Sequence, residues 1–119
     1  MQNYEFKSRK EYVKRVTSQE ELKEIALHDE NLETRIEALE KITDQEFLKE
    51  IALHAYTLDE RIAAVSRIKD EDILIEVATE SLDEQVAVAA IKKLPKERIK
   101  EIKSKNWYVK AVCEDILSQ

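Results

Sequence analysis

Residues 17–42 read TSQEELKEIALHDENLETRIEALEKI, and residues 43–68 continue directly with TDQEFLKEIALHAYTLDERIAAVSRI. The two segments align at an offset of 26 residues without a gap, and residues 69–94, KDEDILIEVATESLDEQVAVAAIKKL, keep the same frame. Self-similarity at a fixed period of this length is typical of proteins built from stacked supersecondary units. The sequence therefore predicts three full repeats, at 17–42, 43–68 and 69–94.

The repeat continues in incomplete form towards both ends of the chain. Residues 1–16 end in RKEYVKRV, which matches the second half of the unit and aligns Arg9 with Arg35. Residues 95–119 match a whole unit that is shorter by about three residues. We therefore expect a single domain over 1–119, made of an N-terminal half repeat, three full repeats and a shortened C-terminal repeat.

Each unit contains two segments with the apolar spacing of an α-helix. LKEIAL in the first half and RIEALEKI in the second half place apolar residues three and four positions apart, and the alternation typical of strands is absent. Ser18 and Thr43 precede first helices and Thr57 precedes a second helix, and each is followed three residues later by glutamate, as in a capping box. The chain is therefore predicted to be all-α, with about nine short helices.

A helix pair of this size cannot bury an apolar stripe on both helices by itself, so each unit must pack against its neighbours. This predicts an α-solenoid of stacked helix pairs. We expect Trp107, which aligns with Leu32 and Leu58, to close the core of the last unit. The rows expected to form the core are Ile36, Ile62 and Val88, then Leu39, Val65 and Ile91, then Ile42, Ile68 and Leu94, beside the small residues Ala38, Ala64, Ala90 and Cys113.

The second helix carries a pattern known from other repeats. TRIEALEKI, ERIAAVSRI and VAVAAIKKL share an aliphatic or polar residue, an arginine position, two variable positions, a pair of small residues and a later leucine position. The unit thus resembles the short HEAT-like repeats of phycocyanin-lyase-type and leucine-rich variant proteins. The resemblance implies a right-handed superhelix whose second helices line the concave side. It also implies a structural ladder of Arg9, Arg35 and Arg61, each binding an acid or loop carbonyl of an adjacent unit.

The chain departs from this family in two respects. The glycine common between family helices is missing, and the arginine position holds Ala87 and Lys110 in the last two units. We therefore expect the C-terminal units to stack with slightly different geometry. Proteins with these repeats are mostly protein-binding solenoids, with a few enzymes and nucleic-acid binders among them, so the resemblance also leaves open a lyase-like or chaperone subunit.

Composition argues against catalysis and against cofactor or metal binding. The chain has no glycine, and phosphate-binding loops and nucleophile turns need glycine where the backbone turns tightly. The single cysteine excludes a multi-cysteine zinc site. His28 and His54, which occupy the same position of two units, offer only two metal ligands. The shallow grooves of a solenoid do not provide the dry pocket that shifts the pKa of a carboxyl group. We therefore expect no enzyme, no cofactor and no metal site.

Charge and apolar content set the expected location and partners. No apolar run approaches the roughly 18 residues that cross a bilayer, and the N-terminus has no signal-peptide stretch, so a cytoplasmic protein without a membrane partner is expected. The formal net charge is -6, but residues 17–91 are acidic and residues 92–105, KKLPKERIKEIKSK, are basic. The basic segment permits nucleic-acid binding as an alternative, which the acidic neighbourhood opposes. The same polarity permits head-to-tail association, although we expect a monomer.

The exposed side of the second helices is the candidate partner-binding surface. Small residues stand at positions 63, 66 and 89, where amphipathic helices usually carry charge; the alternative is that alanine there simply favours helix. A strip with small residues in its middle can accept a helix or extended peptide. We therefore predict a non-catalytic protein-interaction module or scaffold. The predicted concave strip comprises Glu33, Glu37, Glu40, Asp59, Ala63, Ser66, Gln85, Ala89, Lys92, Tyr108 and Val112.

Overall fold

A computed structural model describes residues 9–119, which form nine α-helices and contain no β-strand. The predicted all-α class and helix number are thus confirmed for these residues, while positions 1–8 of the predicted N-terminal half repeat lie outside them. The helices are α1 (Arg9–Val13), α2 (Gln19–His28), α3 (Leu32–Lys41), α4 (Gln45–His54), α5 (Leu58–Arg67), α6 (Glu71–Glu80), α7 (Glu84–Lys92), α8 (Lys96–Ile99) and α9 (Trp107–Leu117).

Helix starts recur with the period of the sequence. α2, α4 and α6 begin 26 residues apart, as do α3, α5 and α7. Ser18 and Thr57 accept hydrogen bonds from the amides of Glu21 and Glu60, both at 3.1 Å, as N-cap residues do. The prediction of Thr43 as the cap of α4 is wrong, because the carboxylate of Asp44 accepts the Phe47 amide at 3.0 Å and, being charged, also suits the helix dipole.

The helices pack in pairs and in two rows. α2 packs on α3, α4 on α5 and α6 on α7. Alternate helices also pack on one another. In one row, α2 packs on α4 and α4 on α6. In the other row, α1 packs on α3, α5 on α7 and α7 on α9. α3 and α5 are the exception, because they are in far less contact than the other neighbouring helices of this second row. The molecule measures 57 × 21 × 18 Å, which is two helices thick and elongated along the rows.

The core lies between the two rows. First helices contribute Leu22, Leu48 and Leu74, all buried. Two of the three predicted apolar rows of the second helices are buried as well, and so are the small residues that were predicted to stand beside them. The confirmed core positions are Leu39, Val65, Ile91, Ile42, Ile68, Leu94, Ala38, Ala64, Ala90 and Cys113.

The third predicted core row is wrong. Ile36 is 38% exposed, and Ile62 and Val88 are only partly buried. A short helix packed on one side buries a single stripe, and Ile36 lies at the edge of it. The buried stripe of α3 consists of Thr34, Arg35, Ala38 and Leu39.

The prediction that Trp107 closes the core is also wrong, because its side chain is 74% exposed. Trp107 is the first residue of α9 and follows the N-cap Asn106, so it precedes the buried stripe of that helix. Its ring meets that of Tyr108 edge to face, with centroids 5.8 Å apart. The core position at this end of the molecule is taken by Val109, which is fully buried.

Basic side chains at 26-residue intervals join each second helix to the one before it. Lys41 donates to three carbonyl oxygens at and after the end of α1, at 2.6–2.9 Å. Arg67 donates to the Ile42 carbonyl at 2.9 Å, and Lys93 donates to two carbonyls in the last turn of α5, at 2.9 and 3.1 Å. The last carbonyls of a helix have no partner within it, so this ladder satisfies them from the next unit.

Glutamine side chains hold the connections between units. The side-chain carbonyl of Gln19 accepts the amides of Thr43 and Asp44, at 2.9 and 3.1 Å. The side-chain carbonyl of Gln45 accepts the amides of residues 69 and 70, at 2.7 and 2.9 Å. Each connection is therefore fixed by the first helix of the unit before it. None of the helices in residues 9–119 has the length and apolarity that a membrane span requires.

Candidate functional site

A cleft of about 400 Å³ opens between α3 and α5. Its apolar lining comes from Leu32, Ile36 and Leu39 of α3 and from Ala63 of α5. Leu32 is 47% exposed, and Ile36 is nearly as accessible. The volume falls within the range of ligand pockets, and it is large enough for a bulky side chain of a partner. The cleft therefore places contiguous apolar surface in contact with water.

A buried ion pair occupies the junction beneath this cleft. The Nε atom of Arg35 donates to Oε2 of Glu60 at 2.8 Å, and the two side chains are only 8% and 3% exposed. The hydroxyl of Thr57 donates to the other Glu60 oxygen at 2.9 Å, and Nη1 of Arg35 donates to the Asp29 carbonyl at 2.9 Å. The hydrogen bond to Glu60 raises the pKa of Arg35, so the guanidinium stays charged.

This pair lies at the junction where α3 and α5 are in less contact than α5 and α7. Glu60 aligns with Val86 and Val109, which fill the corresponding positions of the next two junctions and are fully buried. A glutamate with its guanidinium partner is bulkier than a valine, and α3 and α5 are in less contact than α5 and α7. We attribute the opening of the cleft to the bulk of this buried pair, which a double substitution of Arg35 and Glu60 tests.

The rim of the cleft is acidic. Glu40 on α3 and Asp59 on α5 are exposed and line it from opposite sides, with Ser66 beside them. Arg67 also lines the cleft, but its guanidinium donates to the Ile42 carbonyl. The α3 end of this surface therefore presents carboxylates around an apolar floor.

A wider hollow of about 700 Å³ continues the same surface across α5, α7 and α9. Ile62, Val88 and Ala89 supply its apolar lining. Lys92 and Tyr108, both exposed, border it. We call the cleft and the hollow together the second-helix face.

The structure places eight of the eleven predicted strip residues on the second-helix face. Glu33 lies instead on the α1 side of α3, next to Arg9, while Glu37 and Val112 are partly buried and line neither depression. Sequence reasoning missed Leu32, and it missed Ile36, Ile62 and Val88 because it assigned that row to the core. The residues brought to the cleft are Glu40, Asp59, Ala63 and Ser66, and those brought to the hollow are Gln85, Ala89, Lys92 and Tyr108.

The arginines of the expected ladder all bind groups within the chain. Arg9 pairs with Asp29 at 3.0 Å. Arg61 donates to the Ala55 carbonyl at 2.7 Å and lies 3.4 Å from Asp83, the N-cap of α7. Arg35 and Arg61 each join a second helix to the loop before it and to an acid of another unit, whereas Arg9 binds an acid of the next unit. Their guanidinium groups therefore serve the packing of the units.

Part of the basic segment 92–105 is also engaged within the chain. Arg98 binds Asp72 at 2.7 Å, Glu101 at 2.8 Å and Glu71 at 3.4 Å, and these carboxylates, Glu101 first, raise its pKa. Lys96 donates to the carbonyl of the last residue. The exposed lysines of the segment include Lys92, Lys100, Lys103 and Lys105.

Titratable groups form no centre that could hold a metal in residues 9–119, where no three His, Cys, Asp or Glu side chains come together. His28 is exposed, with Nε2 3.8 Å from a carboxylate oxygen of Glu24. Burial raises the pKa of the Cys113 thiol, and the nearby Glu114 carboxylate adds to the rise. The thiol is therefore protonated at neutral pH and serves as a packing group.

Comparison with known proteins identifies no similar protein. The chain matches no protein-family model, no curated protein and no solved structure. Its function is therefore inferred from the shape, polarity and charge of the second-helix face.

Proposed function

We propose that the chain is a right-handed α-solenoid of HEAT-like repeats and a non-catalytic protein-interaction module that binds a helix of its partner on the second-helix face. The 26-residue recurrence of helix starts and the two rows of helices support the solenoid. The Cα radius of gyration, 16.1 Å, also supports it, since a compact globule of this length has about 13.5 Å. Stacked repeats commonly present such extended surfaces for binding.

The observation that carries the proposal is the apolar cleft between α3 and α5. Leu32 and Ile36 stand in water there, although the rest of the apolar stripe of α3 is buried. Burying such surface under a partner side chain removes it from water, and exposed apolar patches rimmed by polar groups are typical of interaction sites. The rim residues Glu40 and Asp59 supply that polar border.

We propose a helical partner segment because the face offers no hydrogen-bond partners to an extended backbone. All regular elements of residues 9–119 are helices, whose amides and carbonyls pair internally or with caps, so the face presents no strand edge. An extended peptide would find no row of backbone partners here. A helix satisfies its own backbone and can lay its apolar side chains into the cleft and the hollow.

Filling the cleft from within should abolish binding. We expect Ala63→Phe, which places a ring in the cleft without adding charge, to weaken the binding of helices selected on the native protein from a helix-biased display library at least about tenfold. The matched control is His54→Phe, at an exposed position of α4 in the other row, which should leave affinity unchanged. Titration with fluorescent peptides measures both. Equal affinities for the native protein and both variants would contradict the proposed binding surface.

A further inference from the structure

We infer that the partner is a basic amphipathic helix. Its bulky aliphatic or aromatic side chain fills the α3/α5 cleft, and its lysines or arginines pair with the carboxylates of the rim. The inference rests on the proposed function and adds the charge and the direction of the bound helix to it.

The rim carboxylates are available for a partner. Glu40 and Asp59 form no ion pair with any residue from 9 to 119. Lys41 and Arg61, the cations closest to them in the chain, are engaged elsewhere, since Lys41 donates to carbonyls at and after the end of α1 and Arg61 donates to the Ala55 carbonyl. Although Arg67 also lines the cleft, the α3 end of the face therefore carries more negative than positive charge around an apolar floor.

Such a surface favours cationic helices over neutral or acidic ones. Complementary charges at the border of an apolar site speed association and disfavour partners of like charge. An acidic helix would bring its carboxylates against Glu40 and Asp59, whereas a basic helix pairs with them while its apolar side enters the cleft. Because these carboxylates are solvent-exposed, their contribution falls as salt screens them.

The opposite end of the face is balanced in charge, since Lys92 and Glu84 both line the hollow. Lys92 is exposed at the end of α7, where it borders the hollow with Tyr108. Glu84, which also lines the hollow, accepts a hydrogen bond from the Asn106 side chain at 3.3 Å. A helix is positive at its N-terminus and negative at its C-terminus. The bound helix therefore places its N-terminal end over α3 and α5 and its C-terminal end over α7 and α9.

The test uses helices enriched on the native protein from a helix-biased display library with randomised surface positions. We expect the enriched helices to carry net positive charge and to lose affinity as salt rises. The double variant Glu40→Lys/Asp59→Lys should weaken the binding of these helices at least about tenfold. The matched control, Glu20→Lys/Glu46→Lys, changes net charge equally at exposed positions of α2 and α4 and should leave affinity unchanged.

The outcomes separate this inference from the proposed function. Enriched helices that lose binding to Ala63→Phe but are neutral or acidic would overturn the charge assignment and leave the binding face standing. No enrichment, or binding that Ala63→Phe does not alter, would overturn the proposed function itself. A photo-crosslinker at the N-terminal end of the helix should attach to α3 or α5, and attachment to α7 or α9 would overturn the direction.

Discussion

Arg35→Ala is expected to lower the free energy of unfolding by about 3 kcal/mol, at the lower end of the range for breaking a buried ion pair. The variant leaves the Glu60 carboxylate buried, with the Thr57 hydroxyl as its remaining partner, and it frees two loop carbonyls that Arg35 binds. A loss at the lower end of this range is expected because the molecule is only two helices thick. Urea unfolding followed by circular dichroism measures the loss.

Arg61→Ala is the matched control for this variant. Arg61 holds the equivalent position in the next unit, but its ion pair with Asp83 is longer and partly exposed. Truncation there should cost about 1 kcal/mol, mainly through the hydrogen bond to the Ala55 carbonyl. Equal losses for the two arginines would contradict the special role given to the Arg35–Glu60 pair.

The junction between α7 and α9 is an apolar version of this one, because Ala87 and Val109 occupy the positions that correspond to Arg35 and Glu60. Arg35→Ala/Glu60→Val copies it and should recover much of the stability that Arg35→Ala loses, because no buried charge is left without a partner. It should also let α3 approach α5 and close the cleft, so helix binding is lost. Retained binding in the double variant would contradict the origin proposed for the cleft.

Leu48→Ala is expected to lower the free energy of unfolding by about 3–4 kcal/mol, because it leaves a cavity in the middle of the core. Leu48 is fully buried on α4, the central first helix. Leu82→Ala removes the same atoms from a side chain that is 99% exposed and should change stability by less than about 0.5 kcal/mol. Urea unfolding of the two variants compares the same substitution in the core and in water.

The consequences of Leu48→Ala should extend beyond its own unit. Because neighbouring units bury one another's apolar stripes, a cavity in α4 weakens the support of α2 and α6, which pack on it. Amide hydrogen exchange should therefore show reduced protection in all three helices. Reduced protection confined to α4 and α5 would show that the units are independent.

The sequence predicts the helix pairs well because a repeat can be checked against itself. The 26-residue period places the helices, and Ala38, Leu39 and Ile42 recur as the buried stripe in each copy. Alignment shows which positions are equivalent but not how far apart successive helices stand. We attribute that distance to Glu60, which reaches Arg35 from the next unit at the junction where Ile36 is exposed.

The candidate site could be predicted only in part for the same reason. Ala63, Ser66 and Ala89 stand out because small residues replace charge, and the structure places them on the second-helix face. The prediction for Trp107 is wrong because alignment with Leu32 and Leu58 does not fix burial at this position: Leu32 and Trp107 are exposed, whereas Leu58 is partly buried. The basic ladder, by contrast, was visible in the sequence as Lys41, Arg67 and Lys93 at equal intervals.

Small-angle X-ray scattering on a lengthened chain tests the stacking of units most directly. A second copy of residues 43–68, inserted between Ile68 and Lys69, brings Arg61 next to a new Glu60 and so reproduces the Arg35–Glu60 junction. We predict that the longest dimension, 57 Å in the native chain, grows by about 9 Å, the spacing of packed helices, while the cross-section stays the same. A particle that thickens in all directions without lengthening, or an unfolded chain, would contradict it.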